Sequence, residues 1–170
     1  MAYIYSRLGQ HDKALAENLE SLRLNPDNPI DRANLVFYYL LLNRFEDARK
    51  AAEDAKAKGL DSESLRELLY LVSFSQNDTP GMAKELEWAS GRPGVEHRML
   101  AAEADTAAYF GHLGRAREFS RRAVDSARRV GEKDPMADYV ASAALREALF
   151  VNFDEARTQL TAIGHSVGTR

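Results

Sequence analysis

Apolar and charged residues separate most clearly over residues 114–130. At about 100° per residue, Ala116, Phe119, Ala123, Ala127 and Val130 share one side of a helix. Arg117, Arg121 and Arg128 form one row on the other side, and Arg115, Arg122 and Arg129 form a second. Glu118, Asp125 and Glu132 lie between the rows, three or four residues from an arginine. That is the spacing of intrahelical ion pairs, worth about 0.2–0.5 kcal/mol each. An apolar face of this width needs a second helix to cover it. The longest apolar run, Leu35 to Leu42, reads as a core helix segment and is far short of the roughly 20 residues that span a bilayer. Read in this way along its length, the chain predicts helices at about 2–8, 11–24, 29–42, 45–58, 62–76, 80–90, 95–110, 114–130, 135–150 and 153–163, and no strand.

The boundaries carry their own signals. Asn28 can cap a helix that has Pro29 at its first position, and Asp134–Pro135 repeats the device. Asp78 or Thr79 caps before Pro80, and Gly91 to Gly94 forms a loop. Three columns of residues then step by 34 positions. Gly9, Asn43, Asn77 and Gly111 are residues that enter the left-handed conformation easily, so they mark where the first helix of a pair stops. Five residues on, Ala14, Ala48, Met82 and Ala116 are small or flexible apolar residues, placed where two helices cross closely. Seven residues further, Ser21, Ala55, Ala89 and Ala123 repeat the requirement. A fifth unit follows after a step of 40, with Phe153, Asp154, Glu155 and Ala156. Val151 stands there in place of the turn glycine, and Asn152 is the candidate to substitute for it. The six extra residues are expected to lengthen the second helix of unit four and the first of unit five. A fixed period of this length predicts an all-α solenoid of stacked antiparallel helix pairs, whose default role is holding another polypeptide.

The pattern resembles the tetratricopeptide repeat. Tyr5, Gly9, Ala14, Leu22 and Pro26 of the first unit stand at the family's spacings. Leu35, Tyr39, Phe45, Ala48 and Ala55 match in the second, and Gly111, Leu113, Ala116 and Ala123 in the fourth. The third, with Asn77 and Met82 at signature sites, is the weakest. The resemblance implies a right-handed superhelix forming a single domain over 1–170. Its repeats are expected at about 1–28 (truncated), 29–62, 63–94, 95–133 and 134–165, with a tail at 166–170. It further implies a concave groove lined by first helices, which matched spacing places at Tyr3, Ile30, Asn34, Phe37, Leu41, Leu68, Leu71, Phe74, Arg98, Asp105 and Tyr109. Most of these are apolar or aromatic. Asn34 matches an asparagine that some members use to grip a carboxylate, but the basic residues that accompany it are absent. The groove therefore fits an extended or helical peptide with apolar anchors, with Asn34 bonding its backbone. The alternative at Leu68 and Leu71 above all is packing between helices, and core filling or contact with the next unit is the expected role of Trp88.

Tyr3 to Asn28, Phe74 to Gly94 and Ala104 to Ala127 also resemble the repeat region of large bacterial signalling proteins. In those proteins a serine/threonine kinase domain or a winged-helix domain precedes the repeats. With Met1 falling where the middle of a first helix belongs, the chain is expected to be a piece of such a protein.

Composition adds mainly exclusions. A formal charge of −3 gives no bulk attraction to nucleic acid or anionic lipid, so neither nucleic acid nor membrane insertion is expected. No cysteine is present, which removes disulfides and thiolate metal sites and leaves the compartment open. His11, His97, His112 and His165 are scattered without metal-ligand spacing. Gly111 and Gly114 lack the strand, lysine and serine of a phosphate loop, and Glu46, Asp47, Glu53 and Asp54 read as a solvated face. No catalytic constellation emerges and no cofactor is expected. The arginine rows read as a solvated, self-paired face, with a binding patch as the alternative. Two functions remain: a non-catalytic scaffold binding a protein or peptide in its groove, and a structural module joining copies of the parent protein or docking on its other domains.

Overall fold

Each predicted turn must reverse the chain within a few residues, and it does so through one backbone device. The computed structural model describes the backbone of residues 1–167 and the side chains of 1–161. Among these residues ten helices and no strand occur: α1 Ala2–Arg7, α2 His11–Leu24, α3 Pro29–Leu41, α4 Phe45–Ala57, α5 Glu63–Ser75, α6 Thr79–Ala89, α7 Glu96–Tyr109, α8 Leu113–Val130, α9 Lys133–Leu149 and α10 Phe153–Val167. The turn residues all have positive φ: Gly9 at +71°, Asn43 at +56°, Asn77 at +55°, Gly111 at +77° and Val151 at +65°. Each donates its own N–H to the carbonyl three residues back, and the next N–H reaches the carbonyl five residues back. Gly9 bonds Ser6 at 3.0 Å and Gln10 bonds Tyr5 at 2.9 Å; Val151 bonds Ala148 at 3.0 Å and Asn152 bonds Glu147 at 2.8 Å. These paired bonds satisfy carbonyls that the helix end would otherwise leave open.

Asn152 therefore does not take the glycine's place in the fifth turn. The position is set by its distance from the end of α9, so Val151 adopts the left-handed conformation itself, and Asn152 donates its side-chain amide to Glu147 Oε2 at 3.0 Å.

The second column is buried throughout: Ala14, Ala48, Met82, Ala116 and Ala156 all lie in the interior. Ala55, Ala89 and Ala123 of the third column are buried too. At such crossings extra methylenes would force backbones apart, at about 1–3 kcal/mol. Asn28 caps α3 by accepting from the N–H groups of Ile30 and Asp31, with Pro29 at the first position. Asp78 caps α6 by accepting from Gly81 N–H at 2.9 Å. Asp134–Pro135 does not repeat that device. Glu132 stands at the N-cap, so α9 starts at Lys133 and Pro135 falls inside the first turn, where no intrahelical donor is missed. The six extra residues go where expected, giving α8 18 residues and α9 17 against 13 in α3. The expected tail lies, from residue 168 on, outside the described residues.

The chain divides into two compact units, Met1–Glu85 and Leu86–Arg170. The first packs Leu15, Leu22, Leu35, Val36, Tyr38, Leu65, Leu69 and Val72 around its column of alanines. The second is built around Leu100, Ala104, Phe119 and Ala123, with Leu86, Ala101 and Tyr139 against them.

A β-branched residue in the left-handed region is strained by about 1–2 kcal/mol, and Val151 is exposed, so little packing holds it there. Val151→Gly should raise the stability of the chain by about 1 kcal/mol, read as a rise in urea midpoint.

Candidate functional site

In the first unit α3 and α5 lie side by side, and each turns its richest apolar face inward. Leu35, Val36 and Tyr38 of α3 are buried, as are Leu65, Leu69, Tyr70 and Val72 of α5. The outer faces keep apolar residues as well: Ile30 is 70% exposed, Phe37 39% and Leu71 43%. Between the helices these residues, with Asn34 and Leu68, line a cleft of about 480 Å³. Asn34 stands on its α3 wall, one turn from both Ile30 and Phe37. Leu68 reaches the cleft and also packs against the core, so both readings of it hold. Tyr3 is exposed on α1, Leu41 at the end of α3 is partly exposed, and Phe74 is half-buried; none of the three lines this cleft.

The remaining candidates belong to the second unit. Tyr109 is exposed at the end of α7 and meets Phe110 edge-on, with ring centroids 5.3 Å apart. Asp105 forms an ion pair with Arg146 of α9, and Arg98 is half-buried. Leu145 and Leu149 of α9 were not anticipated. They stand at the positions of Phe37 and Leu41 in the register once the 40-residue step is counted, and both are well exposed. The change of period hid them. Trp88 is half-buried, with the Arg92 guanidinium 4.4 Å from its ring centroid.

The arginines of α8 are largely paired, but mostly with other helices. Arg117 donates from Nε and Nη2 to the two carboxylate oxygens of Glu147 at 2.6 and 2.7 Å. Glu147 is 1% exposed. The Arg117 guanidinium beside it, with the Asn152 amide, holds its carboxyl below the usual carboxylate range. Arg115 pairs with Glu103 and Arg129 with Glu96, each at 2.7 Å. Only Arg128–Asp125 at 2.7 Å and Arg122–Glu118 at 3.8 Å follow the intrahelical spacing. Glu132 does not serve the arginines. Its Oε2 lies 3.2 Å from Nε2 of buried His97, outside hydrogen-bond geometry, while His97 Nδ1 is 2.6 Å from the Tyr139 hydroxyl. Burial keeps the His97 pKa below its ordinary value. Val130 is also displaced from the expected core face and is partly exposed.

The supposed acidic face of α4 divides. Glu53 and Asp54 are exposed, whereas Glu46 accepts from Gln76 Nε2 at 2.6 Å and Asp47 pairs with Arg44 at 2.8 Å.

No family model matches the sequence, and a search of curated proteins found no relative. Among solved structures, the chain is similar to that of YrrB, described as a tetratricopeptide repeat protein with an unusual peptide-binding site. The match has a TM-score of 0.50 and 16% identity, covering 99% of this chain and 84% of that one. The fold is a tetratricopeptide fold. Its helix pairs are stacked antiparallel units, and the cleft between α3 and α5 lies between the first helices of two successive repeats.

Removing Arg117 would leave a buried carboxylate unpaired. Because Arg117 is itself partly exposed, Arg117→Ala should cost about 2 kcal/mol at neutral pH, less than for a fully buried pair. The folded-state pKa of Glu147 lies below its ordinary 4.5. The pair therefore stabilises above that value and is lost as pH falls through the folded one, so the two urea curves should draw together as pH is lowered from 4.5.

Proposed function

We propose that the chain is a non-catalytic interaction segment that binds an extended or helical peptide in the cleft between α3 and α5. The exposure of Ile30, Phe37 and Leu71 around the Asn34 amide, in a cleft that Ser62, Ser64 and Glu67 also line, carries this reading. Apolar side chains at those positions have no core left to fill, since the inward faces of both helices are already packed. Apolar anchors from a peptide would enter beside Phe37 and Leu71, and Asn34 can both donate to and accept from its backbone. Tyr3, Leu41 and Phe74, and in the second unit Arg98, Asp105 and Tyr109, would belong to the same type of first-helix surface. The peptide-binding site described for YrrB supports the class of partner. The wider setting, a repeat segment of a bacterial signalling protein of the serine/threonine kinase type, rests on the sequence resemblance.

Peptides selected from a random display library on the 170-residue chain should carry spaced apolar residues. Phe37→Glu and Leu71→Glu should each weaken their binding at least about ten-fold, as expected for loss of a central anchor, while the helical circular dichroism is unchanged. Peptides that bind both variants as well as the parent would sink the cleft assignment. Sedimentation analysis of the same samples tests the structural alternative: a concentration-dependent oligomer lost in Phe37→Glu would make the cleft a self-association surface instead.

A further inference from the structure

The second unit holds a separate cleft, and the side chains around it make a different kind of site. Residues Arg117, Arg121, Val124 and Arg128 of α8 recur at intervals of four, three and four, so they form one stripe along that helix. This stripe, the face of α9 that carries Val140, Ala143 and Glu147, and the first turns of α10 bound a space of about 370 Å³. The volume is within the range of about 300–1,000 Å³ that holds small ligands. Val124, Val140 and Ala143 give it an apolar wall, and Tyr139 borders it.

Four arginines and three acids line the space, and their pairing is uneven. Arg117 is held by Glu147, with Glu155 also acting on it electrostatically. Arg128 is held by Asp125, and Arg146 by Asp105 and the Ser120 hydroxyl. Arg121 makes no hydrogen bond or ion pair among the described residues, although it stands midway along the stripe. A guanidinium with no partner among the described residues, beside an apolar wall, suits a ligand with one anionic head on an apolar body. Its planar fork suits a carboxylate, which it can bind through two parallel N–H bonds.

We infer that the cleft between α8, α9 and α10 binds a small amphiphilic carboxylate, with the head on Arg121 and the body against Val124, Val140 and Ala143. Such a head can come from a free organic acid or from the C-terminus of a short peptide. This site shares no residue with the α3–α5 cleft, so the two assignments can fail independently.

Calorimetric titration of the 170-residue chain with 2-naphthoate and 2-naphthamide tests the head group. A second pair is acetyl-Ala-Ala-Val-Leu with a free carboxylate and the same peptide amidated. The expected result is that at least one acid binds about ten-fold more tightly than its amide, the range of one charge-assisted hydrogen bond. Arg121→Gln should remove that preference and Phe37→Glu should leave it intact. The tighter-binding acid then identifies the source of the head. Arg121 is exposed, so its substitution does not threaten folding. The assignment is overturned if neither acid is preferred to its amide, or if Arg121→Gln leaves the preference unchanged.

Discussion

The structure depends on a single backbone conformation, the left-handed residue that ends the first helix of each pair. With positive φ at Gly9, Asn43, Asn77, Gly111 and Val151, the chain turns back while two N–H groups close the open carbonyls behind it. Because the turn is so short, the returning helix crosses its partner five residues later, before the axes can diverge. Only a small or pliable side chain fits there, which is why alanine recurs and why unbranched Met82 can stand in for it. Val151 shows that the geometry outranks the residue: the position is dictated by where α9 ends, and a valine is carried into it.

Filling the crossings with alanines has a consequence for the surface. Buried alanines occupy the seams, and the larger apolar residues on the inward faces of α3 and α5 complete the core. Ile30, Phe37 and Leu71 then remain outside, around a cleft that the neighbouring helix pair does not close. In the second unit α8, α9 and α10 bound a cleft of another character, where ion pairs reach from helix to helix and Arg121 has no partner among the described residues. One architecture therefore carries an apolar surface in one unit and an arginine-lined one in the other.

Local chemistry determined most of the architecture from sequence alone. Turn residues and the caps at Asn28 and Asp78 are satisfied by neighbours within about five positions, so their pattern is written in short-range order, and the crossing column keeps a fixed offset from them despite a register drift at Met82. The family resemblance, carried over by matched spacing, placed Ile30, Asn34, Phe37, Leu68 and Leu71 on related helix faces, and those five share a cleft. What the tertiary structure alone decided involves partners roughly 10 to 40 residues apart or a choice between competing conformations. Arg117 could have paired within α8 but meets Glu147, because a buried carboxylate gains far more from a guanidinium than a solvated one does. Glu132, at the head of α9, stands beside His97 and not beside the arginines, and Asp105 pairs with Arg146. The two longer helices are expected from the 40-residue step, but the exposure of Leu145 and Leu149 on α9 shows only in the packed structure. Periodicity reports which face a side chain occupies; only the packed helices report what stands opposite it.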